Sequence, residues 1–166
     1  MGYKFKDITI LVVDSQPALL DLIRGILQMF GCKKIITTTA QDKGLALFHE
    51  YKPDLLIVDW ELANSSGISF TKVVRNDKEN PYVPIIFMTA LSSKERVAQA
   101  RDSGINEFLA KPFTADSLYK RIEAITEKPR YFVKTGDFTG PNRRRRSEDN
   151  FDGQDRRQLN PKQPKE

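Results

Sequence analysis

The chain has 166 residues with one cysteine, one histidine and a net charge of +5. That length suits one domain with an appendage, and no run of 18 apolar residues offers a membrane span. A lone Cys32 and a lone His49 exclude an internal disulfide and make thiolate or histidine metal clusters and Ser/His/Asp triads implausible.

The N-terminal "MGYKFKDITILVVD" lacks a signal-peptide pattern, so a reducing, cytoplasmic setting is expected. "ITILVVD" reads as a buried strand that ends in Asp14. "PALLDLIRGILQMF" has helical apolar spacing, with Pro17 early and Gly31 closing it. "KKIITTT" is a second strand, "DKGLALFHEY" a helix, and "KPDLLIVD" a third buried strand that ends in Asp59. His49, within that second helix, reads as a surface residue. "GISFTKVVRND" is a helix and "VPIIFMTA" a strand that ends in Thr89-Ala90. "SKERVAQARDSG" is a helix with little apolar face, "INEFLAKPF" holds a short fifth strand, and "TADSLYKRIEAITEK" is amphipathic through Leu118, Ile122 and Ile125. Five strands alternating with five helices predict an α/β fold, a five-stranded parallel sheet covered on both faces in a three-layer sandwich.

Ligands of such sheets lie beyond the carboxyl ends of the strands. Asp14, Asp59, Thr89 and Lys111 fall at those ends. Two carboxylates, a hydroxyl and an ammonium suit a divalent cation and a phosphoryl group better than redox or acyl chemistry.

With "ILVVD", "PDLLIVDWEL", "PIIFMTA" and "EFLAKPF" in this order over about residues 7–126, the chain resembles the receiver domain of bacterial response regulators, in its stand-alone CheY-like form. The resemblance implies a flavodoxin-like strand order 2-1-3-4-5. It implies that Asp59 is the phosphoacceptor and that the protein is no enzyme apart from self-phosphotransfer. Asp14, Asp59 and the backbone carbonyl of Glu61 would hold Mg²⁺. Lys111, before a cis Pro112, would pair with the acyl phosphate. Thr89 and Phe108 would be the switch hydroxyl and aromatic, although a core role for Phe108 stays open. A sensor histidine kinase would be the donor. Ser15 stands where the family usually has a second acid, Ala63 replaces a usual Pro, and Ser66 replaces a usual Asp before Gly67. A hydroxyl is a poorer Mg²⁺ ligand than a carboxylate, so weak metal binding and slow phosphorylation are expected, with an unphosphorylated scaffold as the other reading.

Residues 1–127 carry 16 basic and 16 acidic side chains, whereas 128–166 carry 11 and 6, the whole net charge. The boundary is placed there: a receiver over 1–127 and an arginine-rich tail over 128–166. The tail shows no apolar periodicity, so disorder until a ligand orders it is expected. It holds a repeat, F-x-G-x-[ND]-R-R, in Phe138–Arg144 and again in Phe151–Arg157 at an offset of 13 residues. Glycine permits positive φ and close approach of backbone to an anion. Arginine forks bind phosphate and the guanine edge, and aromatic or guanidinium planes stack on purines. Two copies suit a two-fold ligand such as cyclic di-GMP. The tail resembles the arginine-rich extension of the Cle group, CheY-like proteins that bind cyclic di-GMP and act on the flagellar motor. That resemblance implies a site from Phe138, Gly140, Arg143, Arg144, Arg145, Arg146, Phe151, Gly153, Asp155, Arg156 and Arg157. The interleaved acids disfavour a long nucleic acid. A nucleic-acid-binding regulator and a plain phosphorylated receiver with an inert tail remain the alternatives.

Overall fold

The structure, a computed structural model, describes residues 5–90 and 93–142. Five parallel strands form the sheet: β1 (Thr9–Val13), β2 (Lys34–Thr38), β3 (Leu55–Asp59), β6 (Ile85–Thr89) and β7 (Glu107–Ala110). Their order is β2-β1-β3-β6-β7, the expected flavodoxin-like arrangement. The helices are α1 (Pro17–Met29), α2 (Gln41–Tyr51), α3 (Gly67–Arg75), α4 (Lys94–Asp102) and α5 (Ala115–Glu127).

Alternation along the strands divides the core in two. Ile10, Val12, Ile57 and Met88 pack under Leu20, Ile23, Leu118 and Ile122 of α1 and α5. Leu11, Val13, Val58 and Phe87 pack under Phe48, Phe70, Val74 and Ala100 of α2, α3 and α4. Burying each large apolar side chain stabilises the fold by roughly 1.5–3 kcal/mol, and β3 and β6 are buried along their whole length. The helix ends follow local chemistry. Pro17 opens α1 with its preset φ. Gly31, at φ 89°, closes it while the Cys32 amide donates to the Leu27 carbonyl (3.0 Å) and the Gly31 amide to that of Gln28 (2.9 Å). Helix α4 is held least, with Ala100 as its one buried residue.

Two hairpins were not legible in the sequence. A two-residue pair, β4 (Glu61–Leu62) and β5 (Ser65–Ser66), turns at Asn64, which takes φ 63°. The second corrects the expectation that no regular element follows Lys128. Strands β8 (Phe132–Thr135) and β9 (Phe138–Pro141) pair antiparallel around Gly136, at φ 50°.

This second hairpin is built onto the sheet's amino-end pole by a buried arginine. Arg75, at the end of α3, is 5% exposed. Its Nε donates to the Gly104 carbonyl (2.9 Å), and Nη1 donates to those of Pro81 (2.8 Å) and Val83 (2.7 Å). Its Nη2 donates to Asn106 Oδ1 (3.3 Å), and Phe132 of β8 covers the guanidinium at 5.1 Å. Burial pushes its pKa down to about 9, which leaves it charged at neutral pH. Gly104 takes φ 90°, and a Cβ there would lie 2.3 Å from the Thr139 carbonyl oxygen. A Cβ on Gly140 would lie 2.7 Å from Gly104 Cα and 2.7 Å from the Phe138 ring. Two glycine backbones therefore touch where β9 meets the loop after α4. Buried Glu107 adds a clamp, with Arg121 of α5 at 3.2 Å and Arg130 at 3.1 Å.

Candidate functional site

The expected quartet converges beyond the carboxyl ends of β1, β3, β6 and β7. Parallel strands in register put Asp14, just past β1, beside Asp59 at the end of β3, both nearly without exposure. The Lys111 amide donates to the Thr89 carbonyl (2.7 Å), which carries the lysine across from β7. Its ammonium lies 2.9 Å from Asp14 Oδ2 and 2.9 Å from Asp59 Oδ1. Thr89 is 2% exposed at the end of β6, and the Lys111–Pro112 bond is cis.

Charge decides what this arrangement attracts. Two carboxylates and one ammonium leave one negative charge in a poorly solvated pocket. Burial raises the Asp59 pKa above the usual carboxylate range, and Asp14 adds to this while Lys111 opposes both. For Lys111, burial acts downward, but the hydrogen bonds to Asp14 and Asp59 outweigh it and the ammonium is held protonated.

Ser15 has a definite place. Its hydroxyl donates to the Glu61 carbonyl oxygen at 3.4 Å, the oxygen expected to face Mg²⁺. The Glu61 side chain itself is 74% exposed and reaches Arg96 at 3.5 Å. The groups that could hold such an ion are Asp14, Asp59 and the Glu61 carbonyl. No group of three or more acidic, histidine or cysteine side chains with metal-holding geometry occurs among the described residues. One or two carboxylates with retained waters suit Mg²⁺, so these residues fit that ion with little to spare.

Four local features were missed in the sequence. Gly67 is forced by the site, because a Cβ there would lie 2.3 Å from the Asp59 carbonyl oxygen, and its amide donates to the Trp60 carbonyl (2.9 Å). Ser66, noted only as a departure, is the N-cap of α3 in a reciprocal pair with Ser69. Trp60, next to the phosphoacceptor candidate, is buried edge-on against Phe87. The Arg96 guanidinium lies over its ring at 5.1 Å. A glycine, serine or arginine in sequence carries no signal for such pairings.

Phe108 is half-buried in β7, in register with Phe87 and against the α2/α3/α4 core. Of the expected tail site, Phe138 and Gly140 are described, and both lie in β9 with the ring packed over the glycine. Gly140 uses its lack of a side chain against Gly104 and not in a positive-φ turn. Arg143, Arg144, Arg145, Arg146, Phe151, Gly153, Asp155, Arg156 and Arg157 lie outside the described residues.

The family model described as the response regulator receiver domain matches residues 10–123. The chain is 29% identical to the chemotaxis protein CheY of Pseudomonas aeruginosa over 119 residues, 72% of this chain and 96% of that one. It is 29% identical to the chemotaxis protein CheY-3 of Vibrio cholerae over 126 residues, 74% and 95% of the two chains. In fold it is similar to the solved CheY4 of Vibrio cholerae, with a TM-score of 0.68 at 24% identity over 71% of this chain and 98% of that one.

Proposed function

The chain belongs to the response regulator receiver family, and from that premise we propose a two-input signalling adaptor, phosphorylated on Asp59 and bound by cyclic di-GMP at its arginine-rich tail. Sensor histidine kinases are the donors with which receivers work. The observation that carries the first input is the Lys111 ammonium bridging Asp14 and Asp59 at 2.9 Å each. An Asp59 carboxylate oxygen attacks the phosphorus of a phosphohistidine. The new O–P bond forms as the P–N bond breaks, and the imidazole leaves with the electron pair. Lys111 then faces the transferred phosphoryl oxygens, and Thr89 lies at the end of the neighbouring strand. Bound Mg²⁺, held by Asp14, Asp59 and the Glu61 carbonyl, would offset charge on the phosphoryl oxygens. Incubation with acetyl phosphate and Mg²⁺ should give a hydroxylamine-labile mass gain of one phosphoryl, absent in Asp59→Asn. An unmodified wild-type chain, with a CheY control labelled, would leave only the scaffold reading.

The second input is supported by the sequence of the tail: the paired F-x-G-x-[ND]-R-R units and their charge. A flagellar motor component is the partner that the Cle-like reading favours. Arg→Lys keeps each charge but removes the planar fork and the stacking face. Arg143→Lys with Arg144→Lys, or Arg156→Lys with Arg157→Lys, should weaken cyclic di-GMP binding at least tenfold by calorimetry. That is about 1.4 kcal/mol, within one lost bidentate guanine contact. Binding to short RNA should barely change, because it depends on phosphates neutralised. Both double variants binding cyclic di-GMP like wild type would reject a specific site, and RNA binding tighter than cyclic di-GMP would favour the nucleic-acid alternative.

A further inference from the structure

The cluster beyond the sheet is short of negative charge for a divalent cation. Asp14 and Asp59 carry two charges, and the Lys111 ammonium, 2.9 Å from each, cancels one. The third group, the Glu61 carbonyl, brings no charge and already accepts the Ser15 hydroxyl at 3.4 Å. The affinity of an oxygen site for such a cation rises with its count of charged ligands. One more acid at this site would close the gap.

Glu61 itself carries that acid. Its main chain borders the pocket at Ser15, whereas its side chain is mostly exposed, so rotation of the side chain alone redirects the carboxylate. Its partner is Arg96, with Nη1 3.5 Å from Oε1. That is long for a charge-assisted hydrogen bond, and a pair this exposed holds weakly. Arg96 has further supports. Its guanidinium lies over the Trp60 ring at 5.1 Å, and its amide donates to Ser93 Oγ at 3.3 Å in the first turn of α4. The arginine therefore stays seated when the carboxylate leaves it.

We propose that the Glu61 carboxylate is a further ligand of the divalent-cation site, and that Arg96 competes with the cation for it. This rests on reading Asp14, Asp59 and the Glu61 carbonyl as a Mg²⁺ site. With the carboxylate added, three acids and one ammonium leave two negative charges, which match a divalent cation. Before the cation binds, Arg96 holds the carboxylate outward. After it binds, the guanidinium of α4, the helix with the least buried face, loses its tie to β4. Occupancy of the site and the hold on α4 are thereby coupled.

The test is Mg²⁺ titration of the full chain, followed by NMR shifts in about 0.15 M KCl, where exposed charges are screened beyond ~8 Å. Wild type is compared with Glu61→Gln, Arg96→Gln and the double variant. Glu61→Gln should bind at least about fivefold more weakly and Arg96→Gln at least about threefold more tightly, as a charged ligand is lost or released. The double variant should match Glu61→Gln within about twofold, because Arg96 acts through that carboxylate and the two effects are not additive. In wild type the Glu61 side-chain carboxyl carbon should shift with the same midpoint as the Asp59 amide. Glu61→Gln equal to wild type overturns the proposal. A double variant back at wild-type affinity does so too, since the two charges would then act only through the field. Binding by Ser15→Asp but not by wild type overturns it and leaves the cation-site reading standing. No binding by either overturns both.

Discussion

At the residue scale, the sheet's carboxyl end holds two buried acids, Asp14 and Asp59, around one lysine. Asp59 is buried beside a second acid, and burial raises its pKa above the ordinary range. A raised carboxylate pKa means that the folded chain disfavours the ionised form. Its contribution to stability is present below the unfolded value, about 4, and is lost as pH rises through the folded value. Asp59→Asn should therefore be more stable than wild type at pH 7 without Mg²⁺. The expected gain in Tm is at least about 2 °C, the size of a ~1 kcal/mol effect in a domain of this length. The gap should close below pH ~4. A variant less stable than wild type at pH 7 would show that the Lys111 ion pair outweighs burial. Ser15 sets the second residue-scale expectation. Its hydroxyl occupies the Glu61 carbonyl at 3.4 Å, so Ser15→Asp both frees that oxygen and adds a charged ligand. Mg²⁺ titration should show at least about tenfold tighter binding, roughly what one added carboxylate contact supplies. Trp60, with its ring between Phe87 and Arg96, is the reporter. Equal affinities would place the weakness elsewhere.

At the element scale, the hairpin β8–β9 is governed by what it meets. Isolated two-stranded hairpins are marginal in water. This one has Phe132 over a buried guanidinium and Gly140 against Gly104. Arg75→Met would leave the carbonyls of Gly104, Pro81 and Val83 without their donor. Each buried orphan costs about 1–3 kcal/mol, so a total loss of about 3 kcal/mol or more is expected in urea unfolding. The amides of Val133 and Gly140 should exchange faster with solvent in the same variant. Fast exchange there already in wild type would mean that the hairpin is not anchored by Arg75.

At the scale of the whole molecule, the acid–lysine cluster and the hairpin β8–β9 lie at opposite poles of the sheet. Asp14, Asp59 and Lys111 are at the carboxyl ends, whereas Gly104, Arg75 and the hairpin are at the amino ends of β6 and β7. The five residues of β6 separate them by roughly 15 Å. A chain ending after Asn142 should melt with the full chain and, if the proposed tail site binds cyclic di-GMP, lose that binding. A chain ending after Lys128 removes Phe132 and the Gly140 contact, and should lose about 2 kcal/mol, the scale of one buried aromatic. Equal stability of the two truncations would show the hairpin to be decoration. Helix α4 spans between the poles, with Arg96 over Trp60 near one end and Gly104 just past the other. It is the helix with the least buried face, which makes it the element freest to shift.

The receiver fold was legible because its signals are local and repeated. Strands buried on both faces read as continuous apolar runs, and acids at their ends stand out against them. Asp14, Asp59, Thr89 and Lys111 are brought together by parallel pairing, which sequence order implies once the α/β alternation is seen. Three things were settled only in three dimensions. Gly67 is a glycine because α3 starts against the backbone of Asp59, and Ser15 is tied to a carbonyl 46 residues away. The hairpin after α5 looked structureless, since Phe132, Gly140 and Arg75 have no meaning at their sequence spacing. Their contacts join segments that are far apart in the chain, and periodicity records only which face of an element is apolar, not what it meets.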